Sequence, residues 1–324
     1  MVPFHVGNRL QMEAAGDVEV FAGDRARPPA IWSGECGVTY YSRHYRLRPA
    51  TQLPGPPTTR ILAYLDEFTV AIAGADNDAM QVAVVPLTAD RRFLTLREPE
   101  VFSAVLGTVP AFAAWLDVLD PITQVFPMAG FHNTMRRLVV DDAAVVTGLH
   151  AIGDSACTTN PTLGRGLSLA LSGAVDLLDT VAKHQEDPIA QTLALDGLVA
   201  DHVMPFYADQ VSIDATRLAM LRHTILGAPA PDPPPVSSDR VTYSQLRAAA
   251  PFDPTVFRAF WKIMGMISRP DEVYTDLDVI HRTREALRHH TNGLSIAQPS
   301  REELLAALNG SRRAPQTPTM GTSR

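Results

Sequence analysis

The feature that most constrains the fold is a loop and helix start near the middle of the chain. Residues 153–166 read GDSACTTNPTLGRG, and they follow the apolar run AVVTGLHAI at residues 144–152. The run predicts a strand that ends at Gly153, and the segment from Gly164 onward predicts a long amphipathic helix. This order of elements predicts a fold that combines strands and helices, with a ligand site where the helix begins.

The residue types in this loop suit a flat ligand that carries hydroxyl and phosphate groups. The carboxylate of Asp154 can accept hydrogen bonds from sugar-type hydroxyls, and the free N–H groups of a helix start can face an anion. Gly164 and Gly166 let a flat ligand approach the backbone, because they carry no Cβ. A lone Gly-Asp is an ordinary turn, so the prediction depends on the whole order of strand, Gly-Asp, Asn-Pro, Gly-x-Gly and helix.

Residues 138–181 resemble the second flavin-binding motif of the FAD-dependent oxidoreductases of the para-hydroxybenzoate hydroxylase, flavin halogenase and geranylgeranyl reductase group. The resemblance implies that Asp154 holds the ribityl chain of FAD and that the helix start lies beside the pyrophosphate and the pyrimidine edge of the flavin. The cofactor-binding residues that it implies are Gly153, Asp154, Pro161, Gly164 and Gly166. More weakly, residues 37–129 resemble the substrate-domain sheet of the group.

One motif of that group is missing from this sequence. Its members open with a strand, Gly-x-Gly-x-x-Gly and a helix, which hold the ADP half of FAD. Gly164 and Gly166 are the only glycines of this chain that lie two positions apart. We therefore expect an α+β fold (α/β flavoprotein-like) with an incomplete FAD-binding domain, a β-sheet substrate domain and a C-terminal helical region. The N-terminal dinucleotide half is expected to be lost, to lie upstream, or to come from a complementing chain.

The pattern of elements predicts five segments. They are a remnant or crossover segment (residues 1–30), a substrate domain of sheet and helices (31–135), the second FAD-binding segment (136–185), a helical region (186–310) and a disordered tail (311–324). Strands are expected at residues 37–47, 60–73, 80–87, 92–96, 138–140 and 144–152, and helices at 99–119 (split by Pro110), 187–226 and 241–290. Ser300 and Glu303 predict a capping box for a last short helix.

Two candidate surfaces follow from residue spacing. On the first predicted strand, Tyr41, Arg43 and Tyr45 share one face, where the rings could stack on a flat substrate and the guanidinium could hold a carboxylate or phenolate. The alternative is that these are ordinary strand residues. On the helix from Gly164, one face carries Leu167, Ala170, Leu171, Ala174, Leu178 and Val181, whereas Asp176, Asp179 and Lys183 lie elsewhere and are expected to be solvated.

Composition argues against several classes of protein, among them nucleic-acid-binding, membrane-spanning and metal-binding proteins. A formal net charge of −7 over 324 residues argues against a nucleic-acid or anionic-membrane surface. Only Cys36 and Cys157 are present, which predicts reduced thiols in a cytoplasmic protein. No apolar run reaches the ~18 residues of a membrane span. The sequence contains no zinc-protease or Cys-x-x-Cys motif, so no metal site is expected.

The resemblance implies an FAD-dependent oxidoreductase, monooxygenase-like or reductase-like, that acts on a small organic substrate with NAD(P)H as a candidate electron donor. A flavin-dependent halogenase is an alternative that ranks lower, because the Trp-x-Trp-x-Ile-Pro segment of that branch is absent. A second alternative is a truncated, cofactor-free derivative that binds a ligand or a partner. A homo-oligomer or a complementing chain is the expected protein partner.

Overall fold

The structure is a computed structural model, and it describes residues 30–52, 54, 60–74, 79–232, 237–290 and 297–310. The expected remnant segment (except Ala30) and the expected disordered tail lie outside the described residues. The strands are β1 (Ala30–Glu35), β2 (Tyr40–Leu47), β3 (Arg60–Tyr64), β4 (Phe68–Gly74), β5 (Ala79–Pro86), β6 (Leu119–Pro121), β7 (Phe126–Met128), β8 (His132–Arg137), β9 (Val139–Val140), β10 (Ala143–Ala144) and β11 (Cys157–Thr158). The helices are α1 (Pro99–Gly107), α2 (Pro110–Leu116), α3 (Gly166–Lys183), α4 (Pro188–His202), α5 (Met204–Leu226), α6 (Tyr243–Ala249), α7 (Pro254–Met264), α8 (Pro270–Thr275), α9 (Leu277–His289) and α10 (Arg301–Asn309).

Helices account for 52% and antiparallel strands for 20% of the structure, so the expected α+β class is confirmed. The chain divides into two compact units. Within the described residues, unit 1 contains the chain up to Cys36, Phe131–Arg217 and Asp232–Leu294. Unit 2 contains Gly37–Gly130, Leu218–Pro231 and the C-terminal part from residue 297. The units are therefore interleaved in sequence, whereas the sequence patterns predicted consecutive segments.

Unit 2 is built on one antiparallel sheet with the strand order β3-β4-β5-β2-β6, in which β7 also pairs with β2. Its core contains apolar residues of the sheet together with buried residues of α1, α2 and α10, among them Phe102, Phe112 and Leu304. The Ser300 side chain accepts from the Glu303 N–H at 3.2 Å, and the Glu303 carboxylate accepts from the Ser300 N–H at 2.8 Å. The predicted capping box at the start of α10 is thus confirmed.

Unit 1 combines a three-stranded antiparallel sheet, in the order β1-β8-β11, with the helices α3, α4, α6, α7, α8 and α9 and the first part of α5. One apolar cluster joins Met135 of β8 and Cys157 of β11 to Leu169 of α3 and Phe206 of α5. A second cluster lies among α6, α7, α8 and α9. In this way the start of α3 is fixed against both a sheet and a long helix.

Three strand predictions are wrong in detail. Residues 60–73 form two strands, β3 and β4, that turn back on each other at residues 65–67. Residues 91–97 form a 3-10 helix, because the Asp90 carboxylate accepts from the Arg92 N–H at 3.1 Å and caps its first turn. Of the predicted strand at residues 144–152 only Ala144 is in a strand, as the last residue of β10, which pairs with β9. The remainder of that run is irregular backbone that leads into Gly153.

The predicted helices are confirmed, but the solvent-facing side of α3 is not the one expected. Leu167, Leu171 and Leu178 are 74%, 61% and 72% exposed. The buried side of α3 consists of Leu169, Gly173, Asp176 and Thr180. Asp176, which was expected to be solvated, is buried and accepts a hydrogen bond from His202 Nδ1 of α4 at 2.9 Å. No helix in the described part of the chain is both long and apolar enough to cross a membrane.

Candidate functional site

The Gly-Asp pair lies in a short 3-10 turn, Gly153–Ser155, and not at the end of a strand. Gly153 has a φ of +57°, a backbone conformation that favours glycine. The Ser155 hydroxyl donates to the Ile152 carbonyl at 2.6 Å and accepts from the Ile152 N–H at 3.1 Å. The turn is therefore closed by its own side chain, and the strand expected before it is not needed to hold it.

Gly153 also allows this turn to pack closely against α3. A Cβ built at Gly153 would lie 3.2 Å from the Cβ of Ala170. Ala170 is four residues after Gly166, which is about one helical turn, or roughly 6 Å, from the helix start. The tertiary structure thus brings the Gly-Asp turn to the first turn of α3, as the sequence predicted, through a close glycine–alanine contact.

The Asp154 side chain is exposed at the surface of the turn. The residue is exposed, and the described residues provide no hydrogen bond or ion pair to its side chain. Its backbone carbonyl, by contrast, accepts from Arg136 Nη1 at 3.3 Å and from the Thr158 hydroxyl at 3.0 Å. The main chain at Asp154 is held in place while both carboxylate oxygens are available to a ligand.

The loop between the turn and the helix is organised by Asn160. Its side-chain oxygen accepts from the Thr162 N–H at 3.1 Å and from the Thr162 hydroxyl at 2.8 Å. These bonds cap the 3-10 turn Pro161–Leu163, and Pro161 occupies a first helical position, where its missing N–H costs nothing. Gly164 follows with a φ of +68°, and its N–H donates to the Pro161 carbonyl at 2.9 Å.

Helix α3 begins at Gly166 with an open N-terminus. Arg165 is its N-cap residue and provides no side-chain capping bond, and the first turn contains no acidic residue. A Cβ built at Gly166 would meet no atom within 4 Å. The first N–H groups of an α-helix have no partner within the helix and attract negative charge. The structure therefore combines free space with an uncapped helix start at Gly166.

A buried polar network lies beneath this loop. The Asp214 carboxylate of α5 accepts from the side-chain amides of Asn133 (2.7 Å), Asn160 (3.0 Å) and Gln210 (3.0 Å). The Asn133 side-chain oxygen in turn accepts from the Asn160 N–H at 2.7 Å. Burial raises the pKa of the Asp214 carboxyl, because removal from water disfavours its charged form, while the three amide donors act in the opposite direction.

A second buried group fixes the helix start. Arg165 lies between the two glycines of the motif, and its side chain is fully buried. Its Nη2 donates to the Asp209 carboxylate at 2.7 Å, and its Nη1 donates to the Phe206 carbonyl at 3.2 Å. The Tyr274 hydroxyl donates to the other Asp209 oxygen at 2.7 Å. A charged side chain inside the motif is thereby tied to α5 and α8.

Cys157 lies three residues after Asp154, but its thiol belongs to the packed interior. Burial raises the pKa of Cys157 to about 12, so the thiol stays protonated at neutral pH. The side chain packs with Met135 and Leu169. Cys36 is also a free, buried cysteine. Both cysteines therefore act as small apolar residues in this structure.

The residues of the predicted substrate surface lie in unit 2. Tyr41 and Tyr45 are 3% and 2% exposed and belong to the hydrophobic core of that unit. Arg43, on the same strand face, donates from Nε to the Thr123 carbonyl at 2.9 Å and lies 5.5 Å from the centre of the Tyr45 ring. Burial does not alternate along β2, since the consecutive residues Tyr40, Tyr41 and Ser42 are all buried. The burial of both rings favours the packing role that was the alternative, and a substrate role stays a prediction.

Sequence reasoning placed the turn, the loop and the helix start but missed the residues that support them. Asn133, Asp209 and Asp214 lie far from the motif in sequence, and no spacing or motif marks them. Arg165 had one signal, since a large charged residue between two glycines is unusual. Arg136 had none, although it brings a positive charge to the Asp154 turn.

No family model and no curated protein matches the sequence. Among solved structures, the chain is similar to the flavin-dependent brominase Bmp2, with 13% identity and a TM-score of 0.46 over 85% of this chain and 61% of that one. It is also similar to CmlS, a flavin-dependent halogenase, with 16% identity and a TM-score of 0.42 over 81% of this chain and 46% of that one. The tetracycline destructase Tet(51) matches with 11% identity and a TM-score of 0.36, over 63% of this chain and 57% of that one. This chain thus spans about three-fifths of the length of Bmp2, and a functional proposal must rest on its own residues.

Proposed function

We propose that this chain is the flavin-binding and substrate part of an FAD-dependent oxidoreductase that acts on a small organic substrate. The observation that carries the proposal is the exposed Asp154 carboxylate, which has no partner among the described residues and lies in a turn packed against the first turn of α3. A carboxylate beside an uncapped helix start presents acceptors and donors together, as a ribityl chain and a flavin ring edge require.

The residues present fit the flavin end of FAD. Asp154 would accept hydrogen bonds from ribityl hydroxyls, and the N–H groups that follow Gly164 and Gly166 would face the pyrophosphate or the electron-rich edge of the ring. The free space at Gly166 leaves room for a flat group against the backbone. FAD supplies the redox chemistry when bound, and the protein contributes binding, orientation and exclusion of water. NAD(P)H is the proposed electron donor.

The fixed surroundings of the site support the same proposal. A ligand gains most from groups that are already held in their binding geometry, because less conformational entropy is then lost on binding. Two buried hydrogen bonds hold the inner side of the loop: the Asn160 side-chain amide donates to Asp214, and the Arg165 guanidinium donates to Asp209. These contacts leave the outer side of the loop free for a ligand.

The proposal is tested by titrating the protein with FAD and with riboflavin and following flavin fluorescence. We expect Asp154→Ala to weaken binding of both ligands by about 1–3 kcal/mol, the range for a charge-assisted hydrogen bond, which is roughly 5- to 150-fold. Asp179→Ala is the matched control, because it removes an exposed carboxylate from the far half of α3. If Asp154→Ala and Asp179→Ala bind both flavins equally well, Asp154 is not part of the site.

A second variant tests the free space at the helix start. Gly166→Val adds bulk at a position where an added Cβ would meet no atom within 4 Å apart from its chain neighbours and its own helix backbone, so the fold should tolerate it while a flat ligand is excluded. We expect lower flavin occupancy and an unchanged far-ultraviolet circular dichroism spectrum. A collapse of the spectrum would show that Gly166 is needed for folding. A wild-type chain that binds neither FAD nor riboflavin at all would contradict the proposed function.

A partner-binding role without a cofactor is the second candidate, and one observation favours it. The exposed side of α3 is apolar, and apolar side chains in such a row are uncommon on a surface that faces only water. A chain that associates through α3 and binds no flavin would match this alternative.

A further inference from the structure

Strand β8 places one arginine beside the turn Gly153–Ser155. The Arg136 N–H donates to the Ala156 carbonyl at 2.8 Å, and Arg136 lies opposite Ile31 where β8 pairs with β1. Its main chain is therefore held from both sides. In the side chain, Nη1 donates to the Asp154 carbonyl at 3.3 Å. This bond brings a positive charge to the turn that carries the exposed Asp154 carboxylate.

The half-buried Arg136 guanidinium retains unused hydrogen-bond donors. A guanidinium carries several N–H donors, and among the described residues the Asp154 carbonyl is the only acceptor for this one. The next residue in the strand differs, because Arg137 donates from Nε to the Asp196 carboxylate at 2.7 Å and also pairs with it through Nη2. Of these two consecutive arginines, Arg136 is the one whose charge has no carboxylate partner in the described part of the chain.

We propose that Arg136 binds the phosphate group of a phosphorylated flavin, so that this site selects FMN and FAD over riboflavin. The inference rests on the proposed function, because it assigns a further residue to the same flavin site. A guanidinium presents its N–H donors in a planar fork that matches the oxygens of one phosphate. In FMN and FAD the phosphate is attached to the end of the ribityl chain. It therefore lies a few bonds from the hydroxyls that Asp154 would bind, and one ligand can reach both residues.

The charges around the turn favour a cation in this role. The exposed Asp154 carboxylate by itself would repel a phosphate, since both groups are negative, and the whole chain has a formal net charge of −7. The Arg136 guanidinium offsets this repulsion locally, because it is bonded to the main chain of the same turn. The two side chains therefore divide the recognition of one ligand. The carboxylate accepts from the ribityl hydroxyls, and the guanidinium donates to the phosphate.

The test is a fluorescence titration of the full chain with riboflavin, FMN and FAD. We expect the wild type to bind FMN and FAD more tightly than riboflavin by roughly 10- to 150-fold, the range for hydrogen bonds to a charged group. Arg136→Gln should abolish most of this preference and leave the affinity for riboflavin nearly unchanged. Arg288→Gln is the matched control, because it removes an exposed guanidinium from the end of α9 in the same unit. The control should keep the preference of the wild type.

The choice of ligands separates this inference from the proposed function. If Arg136→Gln weakens riboflavin and FMN by the same factor, Arg136 only supports the turn, and its phosphate role is wrong. A wild type that binds riboflavin and FMN equally well would overturn the phosphate role and leave the flavin site in place. A wild type that binds none of the three flavins would overturn the proposed function and this inference with it. Asp154→Ala should weaken all three ligands and keep the preference for the phosphorylated ones.

A conservative variant and the dependence on salt keep the inference testable if Arg136→Gln fails to fold. The Asp154 carbonyl also accepts from the Thr158 hydroxyl at 3.0 Å, so the turn retains one bond without the arginine. Arg136→Lys keeps the charge but loses the planar fork, and it should retain only part of the preference for FMN. In the wild type, added salt should weaken FMN binding more than riboflavin binding, because ions screen the contact with the phosphate. An equal effect of salt on the two ligands would overturn the assignment.

Discussion

In the segment from Gly153 to Lys183, several polar residues are buried and several leucines are exposed, which is the reverse of the usual arrangement. The buried side contains a charged arginine, an aspartate, an asparagine and a threonine: Arg165, Asp176, Asn160 and Thr180. The exposed side contains Leu167, Leu171 and Leu178. The comparison shows that the spacing of apolar residues identifies a helix and its apolar side. It does not show which side of the helix is buried against the rest of the protein. Arg165, Asp176 and Asn160 can be buried because each has a specific hydrogen-bond partner, whereas the Thr180 hydroxyl has none among the described residues.

The largest expected effect is on the buried side. Arg165→Ala would leave Asp209 as a buried carboxylate without its cation, which typically costs about 3–5 kcal/mol. We expect a large drop in the urea midpoint of unfolding. Arg282→Ala is the control, because its ion pair with Asp278 lies at the surface, and its midpoint should move far less. Equal shifts for the two variants would show that the buried pair has no special role.

A smaller effect is expected at Asp214. Asp214→Ala removes the acceptor of three buried amide donors but also removes the cost of burying a carboxylate, and water can enter the space left, so the net loss is expected to be about 1–3 kcal/mol. Asp214→Asn should cost less, since one side-chain oxygen remains. Urea unfolding of the two variants measures the difference. A variant Asp214→Ala as stable as the wild type would mean that the network does not hold the loop.

The Asp214 carboxyl also makes the folding stability of the protein depend on pH. Burial raises the pKa of Asp214 above its ordinary value of 3.8, so ionisation of this group costs folding free energy. Its favourable contribution is fully present below about pH 3.8 and is lost as the pH rises through the raised value. Asp214→Asn does not titrate, so the stability of the wild type relative to this variant should fall as the pH rises above about 3.8 and through the raised pKa of Asp214. A constant difference between the two proteins would contradict the assigned direction.

The two glycines at the site sharpen the comparison further. Gly153→Ala meets Ala170 at 3.2 Å and places a Cβ on a residue with a φ of +57°, so a loss of about 1–2 kcal/mol is expected. Gly166→Ala enters free space in a helix and should be neutral or slightly stabilising, by up to about 1 kcal/mol. Thermal unfolding distinguishes the two. If both variants are destabilised alike, the space at Gly166 is not free.

The smallest effect is expected on the exposed side. Leu171→Ser should change stability by no more than about 0.5 kcal/mol at a concentration where the chain is monomeric, because the residue is 61% exposed. Leu169→Ala, two positions earlier and 3% exposed, should cost about 2–5 kcal/mol. Urea unfolding of both variants at low concentration makes the comparison. A large loss for Leu171→Ser would show that the chain itself covers Leu171.

Local patterns were reliable where neighbouring residues set the structure. The helix from Gly166, the two short helices split at Pro110 and the capping box at Ser300 all depend on bonds within a few residues. The strand at residues 144–152 failed for the opposite reason. A run of apolar residues becomes a strand only when a partner strand pairs with it, and in this structure β9 pairs with no more than Ala143 and Ala144.

The candidate site divides in the same way. The order of residues in the chain predicted a cofactor-binding role for Gly153, Asp154, Pro161, Gly164 and Gly166, and that role stays a prediction. The structure packs the Gly153 turn against the first turn of α3. The sequence could not decide between a substrate role and a packing role for Tyr41 and Tyr45, because tyrosines suit a buried strand as well as they suit a binding surface.

The sequence by itself determined the elements around the loop, because turn chemistry, glycine conformation and helix capping act over a few residues. Only the tertiary structure decided which side of α3 is buried and what holds the loop. The loop is held by residues that lie 27 to 54 positions away in the sequence, namely Asn133, Asp209 and Asp214. Contacts over such separations leave no periodic pattern in the sequence. The exposure of Leu167, Leu171 and Leu178 is likewise a property of the packed chain, because apolar spacing is the same whether that side of a helix faces the protein's own core or lies at its surface.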